Sequence, residues 1–153
     1  MPEDNPTLQL VHLLRGLTVE LDLAAAAFAA EHGLHGTDLR ALVALLDAER
    51  AGTTATPGWL GAQLRVSSAS TTALTDRLVA RGLLARSADP GDRRRVLLSV
   101  TDSARELGWA FFGPLIGGMV STLDTGFDAA ERDVLRRVLV RLVDVVGPGR
   151  PGS

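Results

Sequence analysis

Three consecutive arginines, Arg93 to Arg95, are the residues whose types and spacing most clearly suggest chemistry. They directly follow Asp89-Pro90-Gly91-Asp92, which is a strong turn sequence. In such a turn the proline pre-sets φ, the glycine tolerates positive φ and the aspartates can bond backbone amides. Three like charges on a protruding loop repel one another unless an anionic partner neutralises them, and a polyphosphate backbone is the commonest such partner.

Two short apolar stretches flank this turn. Leu83–Ala85 precedes it and Val96–Val100 follows it, and both are typical of β-strands. The sequence therefore predicts a β-hairpin that carries guanidinium groups at its tip.

The charges of the chain are unevenly distributed. The 153 residues have a formal net charge of −2, which by itself does not suggest a partner. Residues 1–49 contain eight acidic side chains and two arginines, whereas residues 60–105 contain eight arginines and four aspartates. Basic charge concentrated on one section is typical of a part of a protein that contacts DNA.

A pair of short helices is predicted immediately before the hairpin. Thr56 caps the first helix, with Pro57 at its first position and its end near Arg65. Ser67 caps the second helix, which runs to Arg81. The second helix is expected to pack through Thr71, Leu74, Thr75 and Leu78. Two short helices joined by a short turn form a helix-turn-helix, and a hairpin directly after them favours the winged form over an ordinary helix pair.

Four further helices are predicted from apolar residues at three- and four-residue spacing. They are a first from Thr7 to about Glu31, a second capped by Thr37 and ending near Gly52, a fifth capped by Thr101 with a kink near Pro114, and a last capped by Asp128. The second helix is expected to bury Leu39, Leu42, Val43 and Leu46. The fold class is therefore mainly α with a small β-hairpin wing.

Several classes of function are disfavoured by the sequence. The absence of cysteine excludes disulfides and thiolate metal sites. His12, His32 and His35 do not form a metal-ligand pattern, and exposed loop histidines are the better interpretation of the last two. No catalytic constellation or glycine-rich phosphate loop is present, so we expect neither an enzyme nor a cofactor. The acidic N-terminus and the lack of a long apolar run predict a cytoplasmic protein that does not enter a membrane.

Short motifs follow one another in a fixed order along residues 8–146. They are Thr56-Pro57-x-x-Leu60, the Ser67 cap, Asp76-Arg77-Leu78, Arg81-Gly82-Leu83-Leu84, Asp89-Pro90-x-Asp92-Arg93-Arg94 and Val100-Thr101. In this order they resemble the MarR family of bacterial transcriptional regulators. The Asp-Pro-x-Asp-Arg-Arg segment is the most specific part of the resemblance.

The resemblance implies a single domain that forms a triangular homodimer. Residues 7–34 and 101–147 would form the helical dimerisation lobe, and residues 37–100 would form the winged helix-turn-helix lobe. Residues 148–153 are expected to be a disordered tail. Each wing would insert an arginine into a minor groove of double-stranded DNA, while each recognition helix enters a major groove.

The recognition helix and the wing supply the predicted DNA contacts. Those contacts are Ser67, Ser68, Ser70, Thr72, Arg77, Arg93, Arg94 and Arg95. Ser67, Ser70 and Arg77 are expected on phosphates, and Arg94 is favoured for the minor groove. A neighbouring wing arginine is expected to brace against Asp92.

The outward face of the recognition helix is chemically plain. Ser68, Thr72, Ala73 and Asp76 should point toward the groove, where Ala73 can only touch a thymine methyl. Ser68 and Ala73 stand where the family often has arginine or another long polar residue. This difference moves the expected phosphate contacts onto the wing, Arg65 and Arg77.

The function expected from these features is sequence-specific regulation of transcription. We expect a repressor that binds a pseudo-palindromic operator and is released by a small aromatic or phenolic effector. Trp109, Phe111 and Phe112 either line an effector cavity near His12 or pack in the dimer core, and packing is the better interpretation. The alternative is a dimeric interaction protein of the same fold with weak or lost DNA readout.

Overall fold

The computed structural model describes residues 5–147, which form helices and one β-hairpin. In chain order the elements are α1 Pro6–Glu31, α2 Gly36–Arg50, α3 Pro57–Leu64, α4 Ser68–Ala80, β1 Leu84–Ala88, β2 Val96–Val100, α5 Asp102–Gly126 and α6 Ala129–Val146. The predicted fold class, mainly α with a hairpin, is confirmed. The tail predicted at residues 148–153 lies outside the described residues.

The chain divides into two compact units between Leu107 and Gly108. The first unit contains α1 to β2 and the start of α5, and the second contains the remainder of α5 and α6. The predicted assignment of residues 7–34 and 101–147 to dimerisation stays a prediction.

Side-chain caps begin most of the helices where the sequence predicts them. The hydroxyl of Thr56 accepts a hydrogen bond from the Trp59 N–H at 3.2 Å, and that of Ser67 accepts from the Ser70 N–H at 3.1 Å. At the start of α6, Asp128 and Glu131 each accept from the other's backbone N–H, at 2.9 and 2.8 Å. Because each bond satisfies an otherwise unpaired amide, these residues fix the helix starts.

The cap predicted for α2 is wrong. The helix begins at Gly36, one residue before Thr37, and His35 is its N-cap residue. The backbone N–H of His35 donates to the carboxylate of Asp38 at 2.9 Å, so an acidic residue inside the first turn satisfies the helix start.

The buried face of α2 also differs from the prediction. Val43 is 47% exposed, whereas Leu45 is buried. The buried residues of this helix are Asp38, Leu39, Ala41, Leu42, Leu45 and Ala48. The buried stripe of α2 is therefore rotated by about one residue from the predicted one, and it includes the polar side chain of Asp38, which periodicity of apolar residues does not identify.

The first unit is built around the helix-turn-helix and the hairpin. Leu60 of α3 and Leu78 of α4 are both 0% exposed, and the four residues predicted to form the packed face of α4 are all buried. The strands β1 and β2 are antiparallel, with Leu84 opposite Val100. The N–H of Leu98 donates to the carbonyl of Ala55 at 2.9 Å and ties the hairpin to the loop before α3.

Gly61 of α3 lies in close contact with Thr71 of α4. A Cβ added there would lie 2.6 Å from the hydroxyl oxygen of Thr71. Thr71 is 2% exposed and its hydroxyl already donates to the carbonyl of Ser67 at 2.9 Å, so it has no room to move away. The contact between the two helices therefore requires glycine at this position.

We expect Gly61→Ala to lower the free energy of unfolding by about 2 kcal/mol, because overpacking at this contact outweighs the higher helix propensity of alanine. Gly58→Ala in the same helix is the matched control, since a Cβ there meets nothing within 4 Å. That control is expected to be neutral or slightly stabilising. Urea unfolding followed by circular dichroism measures both, and equal effects of the two substitutions would contradict the argument.

Large apolar side chains remain exposed on three helices of the single chain. They include Leu10, Leu13, Leu17, Leu21 and Leu23 on α1, Trp109, Ile116, Met119 and Val120 on α5, and Val134, Leu135, Val138, Leu139, Val143, Val145 and Val146 on α6. The helix α6 has no buried residue at all. Helix α5 continues on both sides of Pro114. None of the helices within residues 5–147 combines the length and the apolar character that crossing a membrane requires.

Candidate nucleic-acid interface

The tip of the hairpin is held by its two aspartates. The carboxylate of Asp89 accepts from the Gly91 N–H at 2.8 Å, and that of Asp92 accepts from the Arg94 N–H at 3.0 Å. The backbone N–H of Asp89 donates to the carbonyl of Arg95 at 2.9 Å and closes the loop. These bonds give the loop that carries the arginines a defined backbone conformation.

The three wing arginines are not equivalent. The guanidinium of Arg95 lies 3.5 Å from the carboxylate of Asp89. Arg93 and Arg94 are exposed, and within residues 5–147 their guanidinium groups make no hydrogen bond or ion pair. The predicted brace against Asp92 is wrong: Arg95 pairs with the second carboxylate oxygen of Asp89, whose first oxygen bonds the Gly91 N–H. Two cations are left free for an external anion.

The face of α4 opposite the core is exposed, as the periodicity predicts. Ser68, Thr72, Ala73 and Asp76 all lie on it. Near the helix start, the Ser67 hydroxyl donates to the Ser70 hydroxyl at 3.0 Å. Ser67 and Ser70 are both exposed, so they are placed where a phosphate contact would be made.

Arg77 lies at the edge of this face and is paired inside the protein. Its Nε is 3.2 Å from both carboxylate oxygens of Asp38, and one terminal nitrogen is 2.5 Å from Oδ1. The Asp38 side chain is 0% exposed and that of Arg77 is 37% exposed. This ion pair connects α2 to α4, so a contact of Arg77 with DNA would use only the donors that Asp38 leaves free.

Burial by itself would raise the pKa of the Asp38 carboxyl. The hydrogen bonds from Arg77 and from the backbone of His35, together with the positive charge of Arg77, outweigh burial and hold this pKa below its ordinary value. The same pairing raises the pKa of Arg77. Asp38 is therefore a charged carboxylate under ordinary conditions, although it is fully buried.

Two more arginines of this region bond within the protein. Arg81, at the end of α4, donates to the carbonyls of His32 and Gly33 and so ties α4 to the turn that directly follows α1. Arg86 of β1 donates to the hydroxyl of Thr75 and to the carboxylate of Asp76, both at 2.7 Å. Sequence reasoning missed the structural roles of Arg81 and Arg86, because partners 10 to 49 positions away leave no periodic signal.

In this region, the arginines whose guanidinium groups make no bond within residues 5–147 consequently lie before α4 and on the hairpin, and not on α4 itself. Arg65, which ends α3 in the left-handed conformation with φ 55°, is exposed. Arg93 and Arg94 are the other two. An anionic polymer lying along this surface would meet its strongest attraction at the wing.

The histidines and aromatic residues do not form a second centre in the described part of the chain. Nδ1 of His32 lies 2.9 Å from the carbonyl oxygen of Phe28, and their rings are 4.3 Å apart. No group of three potential metal ligands is found among residues 5–147. On α5, Trp109 is 67% exposed, and the rings of Phe111 and Phe112 meet edge to face at 5.0 Å.

Comparison with known proteins identifies relatives of this chain. A model of the MarR family matches residues 32–95. YcgE of Bacillus subtilis, an uncharacterised HTH-type transcriptional regulator, is 35% identical over 124 residues, which cover 81% of this chain and 76% of YcgE.

Solved structures of MepR from S. aureus have a similar fold. A mutant MepR from a multidrug-resistant clinical isolate has a TM-score of 0.73 at 19% identity, and the match covers 90% of this chain and 96% of the MepR chain. MepR in complex with DNA has a TM-score of 0.57 at 19% identity, covering 89% and 98%. MepR bound to ethidium bromide has a TM-score of 0.59 at 19% identity, covering 89% and 95%.

Proposed function

Because the chain belongs to the MarR family of transcriptional regulators, we propose that it binds a pseudo-palindromic operator as a homodimer and represses transcription. Its relatives are regulators and not enzymes. The repressor function, the dimer and the effector response are the parts of this proposal that go beyond family membership.

The observation that carries the proposal is the pair of free guanidinium groups on Arg93 and Arg94. They stand on a loop whose backbone is fixed by Asp89 and Asp92, next to a helix whose outward face is open. A narrow minor groove attracts an inserted arginine, and a major groove admits an α-helix. MepR, which has a similar fold, has been solved in complex with DNA, and this supports the same use of the surface here.

The homodimer is supported by the apolar side chains that α1, α5 and α6 leave exposed in the single chain. Soluble monomers rarely expose so many large apolar residues together, and such surfaces mark protein interfaces. A two-fold dimer would place two recognition helices on half-sites one helical turn apart, which requires a pseudo-palindromic operator.

We expect Val138→Asp on α6 to convert the dimer into a monomer, because a carboxylate would have to be desolvated in the interface. Val138 is 45% exposed in the single chain, so the substitution does not remove a residue from the core. Analytical ultracentrifugation at micromolar protein concentration gives the oligomeric state.

Val140→Asp is the matched control for this experiment. Val140 is 53% exposed but lies on the opposite side of α6 from Val138, since two residues along a helix turn by about 200°. The control is expected to remain dimeric. A dimeric Val138→Asp variant, or a monomeric wild-type protein, would refute the assignment of this face.

A mobility-shift titration against the DNA that flanks the coding region, repeated over a salt series, tests operator binding. Saturation at nanomolar protein, with competition by a self-complementary half-site duplex, is the expected result. Binding that is weak for every sequence and erased by salt would instead support the alternative function, a MarR-like dimeric interaction protein. That alternative is favoured by one observation: Arg77, Arg81 and Arg86 are all used inside the protein.

Release by a small aromatic or phenolic effector completes the proposal. It is supported by the ethidium-bound structure of MepR, and by the exposed Trp109 next to Phe111 and Phe112 on α5. Adding ethidium bromide to the protein–operator mixture is expected to reverse the mobility shift, and an unchanged shift would remove ethidium as an effector. The proposal places the protein in the cytoplasm together with the DNA that it binds.

A further inference from the structure

The exposed face of α4 offers no long hydrogen-bond donor to a base pair. Ser68, Thr72, Ala73 and Asp76 lie on it, and all four side chains are short. Strong discrimination in the major groove comes from arginine or lysine on guanine and from asparagine or glutamine on adenine, and this face has none of them. An aspartate can accept from cytosine N4, but Asp76 is already paired with Arg86, so base specificity on this face must come from another kind of contact.

The hydroxyl of Thr72 is already used inside the helix. It donates to the carbonyl of Ser68 at 3.0 Å, four residues earlier. The proton that would bond a base acceptor is therefore engaged, so the hydroxyl oxygen can only accept. The Cγ2 methyl is the other group that this exposed side chain presents, and it is the one that can meet an apolar group of a base.

The surroundings of Thr72 are partly apolar. A recess of about 190 Å³ lies between α3 and α4, and Thr72 lines it together with the apolar Pro57, Ala62 and Val66 and the hydroxyl-bearing Ser68 and Thr71. The nearest acid on the outward face, Asp76, is paired with Arg86 at 2.7 Å. A methyl group that approached the Cγ2 of Thr72 would therefore exchange water for hydrocarbon without displacing the partner of Asp76.

We propose that Thr72 is a specificity-determining residue that selects thymine by contact of its Cγ2 methyl with the C5-methyl of the base. In the major groove this methyl belongs to thymine alone among the four bases. The inference rests on the DNA binding proposed above and adds the base that α4 recognises: a T·A pair in each half-site, recognised through its methyl group and not through a hydrogen bond.

Two substitutions at Thr72 separate the methyl from the hydroxyl. Thr72→Ser keeps the hydroxyl and removes the methyl, whereas Thr72→Val keeps a methyl and removes the hydroxyl. The duplex is one selected from a random-sequence pool by the wild-type protein, and its thymines are replaced by deoxyuridine, one symmetric pair of positions at a time. Fluorescence anisotropy at fixed salt gives the dissociation constant of each combination.

At one position in each half-site, deoxyuridine is expected to weaken wild-type binding about four-fold per half-site, which is the effect of one buried methyl. Thr72→Ser should show the same loss on thymine DNA and no further loss on deoxyuridine DNA at that position. Thr72→Val should bind within about two-fold of the wild type, since the hydroxyl does not read a base under this proposal.

Other results would overturn the inference. If Thr72→Val loses affinity while Thr72→Ser does not, the hydroxyl reads the base. If the selected duplex binds tightly but no deoxyuridine position is coupled to Thr72→Ser, the methyl contact is absent while operator binding stands. If no duplex is enriched from the pool at any salt concentration, the proposed operator binding is wrong and the inference fails with it.

Discussion

Arg77→Met is expected to lower the free energy of unfolding by about 3 kcal/mol, because it leaves the fully buried Asp38 carboxylate without its guanidinium. Asp38→Asn removes the other charge but keeps an oxygen that can accept from the His35 N–H, and it should cost less, since the side chain of Arg77 is 37% exposed and can be rehydrated. Urea denaturation of both single variants and the double variant, at matched protein concentration, gives the coupling energy. Equal effects of the two single substitutions would contradict this asymmetry.

The ion pair of Asp38 and Arg77 also predicts how the stability of the protein depends on pH. The pKa of Asp38 is below its ordinary value of 3.8 in the folded protein, so its contribution to stability is present above pH 3.8 and is lost as the pH falls through the folded-state pKa. In the Arg77→Met variant no guanidinium opposes the effect of burial on the pKa of Asp38. This pKa therefore rises, and the Asp38 carboxyl can take up a proton as the pH falls. The stability difference between wild type and Arg77→Met should therefore shrink in acid, and a difference that stays constant from about pH 7 to about pH 3 would refute this explanation.

Arg94→Ala is expected to weaken operator binding about thirty-fold at about 0.15 M salt and to make the slope of log K against log salt shallower by about two. Both numbers follow from removing one cation that would lie near the phosphates from each of the two wings of the proposed dimer. Arg93→Ala should have a comparable effect, because its guanidinium is equally free. Arg95→Ala should have a smaller one, since Asp89 already pairs with Arg95.

Arg50→Ala is the matched control for the wing. It makes the same change in net charge at an exposed arginine at the end of α2, where the partner is Asp47. Its dissociation constant and salt slope are expected to equal those of the wild type. If Arg94→Ala also matches the wild type at every salt concentration, the wing does not hold DNA.

The elements of the fold could be predicted because their signals are local. Thr56-Pro57, Ser67 and Asp128 act within three residues of the helix start that each one marks, and the turn at Asp89 to Asp92 acts within its own loop. The cap of α2 could not be identified in the same way. Thr37 is a good capping residue by type, and only the inward position of Asp38 shows why the helix starts before it.

The arginines show where sequence reasoning about the candidate site ends. All eight between residues 60 and 105 contribute equally to a charge count, but the structure separates those that bond inside the protein from those that do not. Asp38 and Arg77 are 39 positions apart, and Arg81 and the carbonyl of Gly33 are 48 apart. Pairings at that range depend on how the helices pack, which periodicity does not reveal.

The bridge from Arg86 to Thr75 and Asp76 joins the first strand of the hairpin to α4. This linkage opposes independent movement of the hairpin and the helix, because a shift of one would break the ion pair and the hydrogen bond, and it thereby favours one offset between their two points of contact on a duplex. An operator with one base pair inserted between those points would be bound only if this bridge were broken. The proposed regulation would then act by rotating the hairpin and α4 together relative to the same elements of the second protomer. It would not act by releasing one of the two elements from DNA while the other stays bound.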